Sequence, residues 1–373
     1  MTSLYLVIEA ELTPFQLVFL GTAQGLTVVA AEVPTGVIAD TYSRKWSIVI
    51  GHGVMGLGML STGLVTSFPA LILTQMTWGL SWTFSSGADV AWLTDELRHP
   101  NRTAQVLASS SVWGQVGSAI GILAFGILGS TLGLADAIVI AGGGMWILGV
   151  AVTIGFPEQH FARHGRTHVP KSAITTLRDG FSRVRALRIL MLLLLCTFLV
   201  NGADEAFGRL YTKHLIDLGF PGNTEAIAWL TALSVSALIL GAIALAILTR
   251  FLMGRPRYAT LYALGAGVGV LGLVLFATAP GVEMAMVGVL AVTGVATTVM
   301  RAISSIWANE HAASDVRATV QSFLSLAENS GEIALGFSLA VVAELFGIDE
   351  TVIAAAVILS VTMYLVITQG QTK

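Results

Sequence analysis

The chain is poor in charged residues for its length. Only 11% of its 373 residues are Asp, Glu, Lys or Arg, whereas 55% are hydrophobic. A soluble protein of this size could not cover so much apolar surface with so few charged side chains. The scarcity of charge therefore excludes an ordinary soluble domain and indicates a membrane protein.

Several kinds of chemistry are missing as well. The one cysteine, Cys196, lies in a leucine-rich run, which excludes a disulfide framework and a thiolate metal site. The seven histidines are scattered, and the sequence has no G-x-x-x-x-G-K-[ST] loop, so we expect no metal, no cofactor and no direct use of ATP. We find no catalytic constellation and nothing that suggests nucleic-acid binding. The opening MTSLYLVIEAELTP carries acids and no bases, unlike a secretory signal peptide.

Apolar runs of about 20 residues recur along the whole length, which is the pattern of membrane-spanning helices. The sequence predicts an all-α polytopic membrane protein. Its eleven predicted spans cover 15–38, 46–66, 70–93, 104–130, 136–156, 188–211, 226–249, 258–278, 282–305, 318–345 and 350–368.

Most basic residues fall at alternate connections between these spans, and only Arg209, Lys213 and Arg301 fall elsewhere. The set comprises Arg44, Lys45, Arg98, Arg102, the bases from Arg163 to Arg188, Arg250, Arg255, Arg257, Arg317 and Lys373. By the positive-inside rule these connections are cytoplasmic. We therefore expect a multi-pass protein of the inner (plasma) membrane with its C-terminus in the cytoplasm and its N-terminus outside.

The longest connection divides the chain into two halves. Residues 1–157 form an N-terminal half of five spans, 158–187 a basic linker, and 188–373 a C-terminal half of six spans. The linker segment TTLRDGFSRVRALRI alternates apolar and basic residues at helical spacing, which predicts a helix lying along the inner membrane surface.

The halves resemble each other weakly. The segment 92–102 is similar to 307–317, SRK at 43–45 matches GRPR at 254–257, and LYLVIEAELTP from Leu4 is similar to LYTKHLIDLGFP from Leu210. Such a repeat predicts two parallel, pseudo-symmetric halves. Leu210 ends a whole predicted span, whereas no span precedes Leu4 in the chain as given. We therefore expect that the chain as given lacks its first transmembrane helix, through a start assigned too late or a genuine truncation.

The segment GVIADTYSRKWSI at 36–48 resembles the signature loop of the major facilitator superfamily. Gly36, Asp40, Arg44 and Lys45 match its pattern, and Ser43 stands where glycine is usual. The segments EVPTG, GADVAWLTDE and RATVQSF are similar to bacterial efflux-type members, although WGQVGSAIG at 113–121 lacks the proline of the antiporter motif. The resemblance implies two six-helix halves, a small-molecule substrate, alternating access and a monomer.

The loop suggests a gate. Asp40 lies one helical turn from Arg44, so a local ion pair is readily formed. The resemblance implies that Asp40 also faces the helix beginning near Val316, where Arg317 offers a second partner. Such contacts would hold a cytoplasmic gate closed. The alternative is that Arg44 and Lys45 only mark membrane topology.

Acidic residues inside the spans are candidates for proton or substrate binding, because ionisable groups there usually face a cavity or a partner. Glu32 lies about 12 Å from Asp40 along its helix. It is either a proton carrier or a structural acid beside Pro34.

Asp89 lies in a helix that lines the cavity in the family, and Asp95 and Glu96 are expected to be solvated at its cytoplasmic end.

Two further clusters lie in the C-terminal half. Glu205 and Arg209 are four residues apart and either neutralise each other or contact substrate, which makes Asp204 the better coupling candidate. Glu328 and Glu332 share a helix face, as a proton site or as a neutral hydrogen-bonded pair. Arg301 is expected to be the counter-ion of one of these acids.

Together these features predict a secondary active transporter that works by alternating access. The intramembrane acids favour proton coupling, and the family resemblance favours export of small amphipathic molecules or drugs. The alternatives are a facilitator or symporter that imports a small metabolite, and a non-transporting membrane protein or truncated remnant.

Overall fold

The computed structural model describes residues 2–97, 100–160, 187–221, 224–252, 257–312 and 317–370, with the side chains of 100–105, 107–108, 111, 224 and 317–319 also outside the description. The chain forms two compact units. Unit 1 comprises Met1–Leu12, Ala23–Thr167 and Asn223–Thr231, and unit 2 comprises Thr13–Thr22, His168–Gly222 and Ala232–Lys373. Most of the predicted basic linker, at 161–186, lies outside the described residues.

Unit 1 is built from helices in the first part of the chain. They are α1 (Thr2–Ile8), α2 (Pro14–Thr41, in this unit from Ala23), α3 (Arg44–Leu64), α4 (Phe68–Ser85), α5 (Ala88–Leu97), α6 (Pro100–Leu132) and α7 (Leu134–Gly155).

Helix α3 lies against both α4 and α7. A Cβ added to Gly56 would lie 2.7 Å from the carbonyl oxygen of Gly142, so the α3 and α7 backbones touch at this crossing. The Trp146 indole N–H donates to the Gly53 carbonyl at 3.0 Å. On the other side, the Ser47 hydroxyl donates to the Phe84 carbonyl at 2.7 Å. Small residues thus allow close helix packing in an apolar setting.

Unit 2 contains the later helices. They are α8 (Arg188–Asp217), α9 (Thr224–Leu252, in this unit from Ala232), α10 (Tyr258–Ala277), α11 (Val282–Val289), α12 (Thr297–His311), α13 (Arg317–Phe346) and α14 (Ile348–Gln369). A π-helical turn, Leu290–Ala296, joins α11 to α12 without a break.

Ten of the described helices are long and apolar enough to cross a membrane, and they correspond to ten of the eleven predicted spans. The difference is the span predicted at 70–93, which the structure divides between α4 and α5. Gly87 separates the two helices with a φ of +74°, a left-handed conformation that glycine adopts without steric cost. Helix α8 also continues beyond its predicted end at 211, where Lys213 and Asp217 pair at 3.4 Å.

Helices α8 and α13 cross at a pair of glycines. A Cβ added to Gly202 would lie 2.7 Å from the Gly331 carbonyl oxygen, and a Cβ added to Gly331 would overlap the Phe198 carbonyl. The two backbones are therefore in direct contact. Acidic residues lie within three positions of both glycines in sequence, so this crossing brings the acids of α8 and α13 together.

Replacing Gly331 by alanine should therefore destabilise unit 2 strongly. The added methyl group forces the two backbones apart, at a cost of at least about 1–3 kcal/mol. The thermal unfolding midpoint of purified Gly331→Ala in detergent should fall well below that of the wild type. Gly208→Ala is a matched control, because a Cβ there meets nothing within 4 Å. Equal losses in both variants would contradict a close crossing at Gly331.

Candidate functional site

Six charged residues of unit 2 lie on three of its helices and form what we name the unit-2 charge cluster. All six are predicted site residues, namely Asp204, Glu205 and Arg209 on α8, Arg301 on α12, and Glu328 and Glu332 on α13.

Arg301 joins α12 to α8. Its guanidinium donates to the side-chain carbonyl of Asn201 at 2.8 Å and lies 3.5 Å from a carboxylate oxygen of Asp204. The acid that pairs with Arg301, left open by the sequence, is therefore Asp204. Asn201 is a residue that sequence reasoning missed. The sequence carries no specific signal for it, since a single amide inside an apolar span has several possible roles.

Glu205 and Arg209 form the predicted pair along α8, with Nε and Oε1 2.8 Å apart. The pair is three-quarters buried or more and lies against the part of α2 that belongs to unit 2, because a Cβ on Gly21 would overlap the Glu205 carboxylate. Gly336 of α13 faces the same side chain, with a Cβ there 3.7 Å from Glu205 Cγ. This setting favours the structural interpretation of the pair.

Glu328 faces a small cavity that it shares with Arg301. The cavity has a volume of about 10 Å³, which is space for about one water molecule. Its polar lining consists of Thr197, Asn201, Tyr262, Arg301, Ser304 and Glu328. The Thr197 hydroxyl is buried and makes no hydrogen bond among the described residues, so the cavity has polar partners for a water.

Glu332 lies one turn further along α13. Its carboxylate interacts electrostatically with Glu205, Arg301, Glu328 and Asp204, and it is half-buried. Glu332 thus links the Glu205–Arg209 pair to the Arg301 site. The six residues form one electrostatic unit, even though the chain separates its first and last members by more than a hundred positions.

The unit-2 charge cluster has an excess of acid. Four carboxylates and two guanidiniums give it a formal charge of 2 − 4 = −2 when all six groups are ionised. Unpaired charge away from water is costly, and acids in such positions commonly bind protons. The arrangement is therefore chemically suited to taking up protons and to binding a cationic group.

A second charged site lies in unit 1, where Arg44 joins three chain segments. Its guanidinium donates to the Ala91 carbonyl at 3.0 Å, pairs closely with Asp95 on α5, and lies 3.4 Å from Asp40 on α2. Arg44 is only 13% exposed, whereas Asp40 is 59% exposed. The predicted Asp40–Arg44 pair is present, but the more buried partner is Asp95.

Glu158, just after α7, completes this end of unit 1. Its carboxylate accepts from the Ser43 hydroxyl at 2.6 Å and from the Lys45 backbone N–H at 3.0 Å. Ser43 also caps α3 by accepting from Trp46 N–H. An acid at a helix N-terminus is favoured by the free N–H groups and the helix dipole. Sequence reasoning missed Glu158 and assigned Ser43 only as a departure from the family pattern.

The prediction that Glu96 is solvated is wrong, whereas Asp95 is about one-third exposed and pairs with Arg44. Glu96 accepts hydrogen bonds from the backbone N–H groups of Gln159 and His160, at 2.8 and 3.0 Å, and lies 3.1 Å from the His160 ring. Burial by itself would raise the pKa of Glu96, but the hydrogen bonds from His160 and Gln159 outweigh it, so the pKa lies below its ordinary value. Glu96 thereby ties the segment after α7 to α5.

The remaining predicted residues are spread over unit 1 or lie outside the description. Glu32 is exposed on α2 beside Pro34, which lies inside that continuous helix. Gly36 is half-buried, and a Cβ there would meet open space. Lys45 is half-buried in the first turn of α3. The side chain of Arg317 lies outside the described residues.

Asp89 lies in the first turn of α5, at the edge of a cavity of about 650 Å³ that we name the unit-1 cavity. The cavity is lined by Asp89, Val90, Trp92, Leu93, Leu97, Val106, Ser109, Ser110, Trp113 and Phe156. Every one of these residues belongs to unit 1. Asp89 and the unit-2 charge cluster therefore belong to different units.

Comparison with known proteins establishes the family. The sequence profile of the Major Facilitator Superfamily matches residues 1–336, so the chain belongs to this superfamily of transporters. No curated protein sequence matches the chain.

Solved transporter structures share the fold. The nucleoside transporter NupG is 16% identical with a TM-score of 0.78, and the match covers 100% of this chain and 94% of NupG. A bacterial homologue of the human lysosomal transporter Spinster, in an inward-facing and occupied conformation, is 15% identical with a TM-score of 0.76, covering 100% and 93%. A POT family transporter in complex with a thioalcohol-conjugated peptide is 12% identical with a TM-score of 0.73, covering 99% and 93%.

The geometry around Arg44 predicts unequal roles for its two acids. Asp95→Ala removes the more buried partner and should lower the free energy of unfolding by about 1.5–3 kcal/mol, as expected for a hydrogen bond to a charged group. Asp40→Ala removes a largely exposed partner and should cost below about 1 kcal/mol. Thermal or denaturant unfolding of the two variants in the same detergent tests this order. A larger loss for Asp40→Ala would contradict it.

The depressed pKa of Glu96 predicts a pH-dependent contribution to stability. Because the folded-state pKa lies below 4.5, the ionised carboxylate stabilises the fold above about pH 4.5 and loses this effect as the pH falls through the folded-state value. The unfolding midpoint of Glu96→Gln should therefore lie about 1–3 °C below that of the wild type at pH 7.

The same difference should shrink in a pH titration from 5 to 3. Glu11→Gln, at an exposed position in the same unit, is the control and should show no comparable effect. A difference between wild type and Glu96→Gln that grows on acidification would contradict the assignment.

Proposed function

We propose that the protein is a proton-coupled secondary transporter that exports small amphipathic molecules by alternating access. The observation that carries the proposal is the excess of carboxylates in the unit-2 charge cluster. Two protons would neutralise the formal charge of −2, and Arg301, held between Asn201 and Asp204 and close to Glu328, provides a cation whose partners depend on which acids are protonated.

Within the cluster we assign the proton-binding role to Glu328, Glu332 and Asp204. Glu205 is held by Arg209 at 2.8 Å and is the most fully paired of the four acids, so its role is structural. Asp204 meets Arg301 at the longer distance of 3.5 Å. Glu328 borders the water-sized cavity, which offers a route for a proton between α12 and α13. The exposed Glu32 on α2 is a further candidate carrier.

The Arg44 site supports a gating role for the signature loop. Ion pairs join Arg44 to Asp40 and Asp95, and Glu158 accepts a hydrogen bond from the N-terminus of α3. These contacts hold the ends of four helices of unit 1 together. Such a block would move as one body when access alternates. Gly36 and Lys45 belong to the same loop, and Arg317 remains the proposed partner from the family resemblance.

The direction and location of transport follow from sequence features. The efflux-like segments EVPTG, GADVAWLTDE and RATVQSF favour export. The positive-inside pattern favours an inner-membrane protein with a cytoplasmic C-terminus. Import of a metabolite is the other direction, which the transport assay below distinguishes.

Proton coupling can be tested in proteoliposomes that contain a pH-sensitive dye. A panel of amphipathic cations, neutral amphiphiles and nucleosides is added to each preparation, and proton movement and compound movement are recorded together. In the wild type, movement of at least one compound should be accompanied by proton movement. Glu328→Gln, Glu332→Gln and Asp204→Asn should each reduce proton movement by about tenfold or more, and Glu32→Gln is measured alongside them.

Glu344→Gln is the matched control, because Glu344 lies on the same helix as Glu328 but is exposed and outside the unit-2 charge cluster. It should transport as the wild type does. Compound movement at the wild-type rate with unchanged proton flux in all the test variants would refute the proton assignment. A compound that moves in the same direction as the protons would replace proton-coupled export by import.

A further inference from the structure

The unit-1 cavity has the size and lining of a small-molecule site. Its volume of about 650 Å³ lies within the range of about 300–1,000 Å³ that is usual for ligand pockets. Most of the lining is aliphatic or aromatic, and two serines and one carboxylate supply the polar groups. Ligand pockets typically combine an apolar wall with a few polar groups that fix orientation.

Asp89 supplies the charge of this cavity. Gly87 breaks the helix in a left-handed conformation, so that α5 starts at Ala88 and Asp89 lies in its first turn. A carboxylate oxygen of Asp89 accepts from the Val90 backbone N–H at 2.7 Å. The free N–H groups and the dipole of the helix start attract negative charge at this position. Asp89 is also exposed, so a ligand in the cavity can reach it.

Two tryptophans form aromatic walls of different kinds. Trp92 is fixed in place, since its ring stacks on Phe156 at 4.2 Å with an angle of 17° and its indole N–H donates to the Pro157 carbonyl at 2.7 Å. Trp113 on α6 is 70% exposed. An aromatic face attracts a cation through the ring quadrupole and also accepts an apolar surface.

From this juxtaposition of Asp89, Trp92 and Trp113 around an apolar cavity, we propose that unit 1 holds a binding site for cationic amphipathic small molecules. The cationic head would lie at Asp89 and the apolar body between the two indole rings. An anionic compound would be repelled by Asp89, and a neutral one would use the apolar walls alone. The proposal rests on the proposed transport function and deepens it by naming the class of cargo.

The site also has a place in the transport sequence. Helix α5 ends beside Arg98, in a connection that the distribution of bases assigns to the cytoplasm. A cargo that binds here is collected on the cytoplasmic side. Asp89 is therefore a specificity residue, whereas the acids of unit 2 carry the protons.

Equilibrium binding without a proton gradient tests the site. Radiolabelled tetraphenylphosphonium and neutral triphenylphosphine oxide serve as probes, with the full chain in nanodiscs of neutral lipid and empty discs as the background. Wild type should bind the cation more tightly than the neutral probe. Asp89→Asn should weaken cation binding by about tenfold, equivalent to about 1.4 kcal/mol, and leave neutral binding unchanged. Trp113→Ala should weaken both.

Asp136→Asn is the matched control, because Asp136 is an exposed acid in the first turn of α7 in the same unit but does not line the cavity. It should bind both probes as the wild type does. Ser110→Lys places a positive charge on the exposed cavity wall and should also weaken cation binding about tenfold, which keeps the test decisive should Asp89→Asn fail to fold.

Equal cation affinity in wild type, Asp89→Asn and Ser110→Lys would overturn the proposal, as would equal affinity of wild type for the two probes. These results are independent of coupling. Binding that depends on Asp89 in a protein whose proton flux survives the unit-2 substitutions would refute proton coupling in those acids and leave the cation site standing. Proton flux that requires Glu328, together with unchanged cation binding in Asp89→Asn, would support proton coupling and refute the cation site.

Discussion

The contact between Gly202 and Gly331 is the constraint on which the charged centre of unit 2 depends. Two helices that are 30 residues long each can approach to backbone contact only where neither carries a side chain. Asp204 and Glu205 lie two and three positions after Gly202, and Glu332 directly follows Gly331. The crossing therefore brings the side chains next to it close together, whatever their charges.

The two units handle their charges in different ways. In unit 1, Arg44 and the α3 N-terminus are matched by Asp40, Asp95 and Glu158, and each acid has a defined donor. Such a network stabilises one arrangement. In unit 2 the acids outnumber the guanidiniums, and Arg301 is half exposed and shared between an amide and a carboxylate. An incompletely matched set is the kind of site whose interactions change when a proton or a cation arrives.

Hydropathy was sufficient to place most of the helices. Ten predicted spans agree with helices that can cross a membrane, because each needs only a run of about 20 apolar residues. The break at Gly87 was not predicted, since a glycine in an apolar run signals either close packing or a left-handed turn, and only the backbone decides between them. The end of α8 was placed too early because polar residues there continue the helix.

Side-chain partners were predictable only where they are close in sequence. The Asp40–Arg44 and Glu205–Arg209 pairs follow from the four-residue spacing of a helix. The partner of Arg301 lies about a hundred positions away, and Asn201 gave no sign of its role because a lone amide in a span has many explanations. Glu96 was wrongly expected to be solvated, and the Arg44 partner of Asp95 was missed, because their donors come from distant segments.

The acid excess of unit 2 has an electrical consequence. Each elementary charge that crosses a potential of 100 mV involves about 2.3 kcal/mol, so moving an unprotonated cluster of charge −2 through the whole field would involve roughly 4–5 kcal/mol. A cluster that has bound two protons crosses at no such cost. The membrane voltage would then act on the empty and the loaded protein unequally, and the resting potential itself would set which of the two reorients more readily.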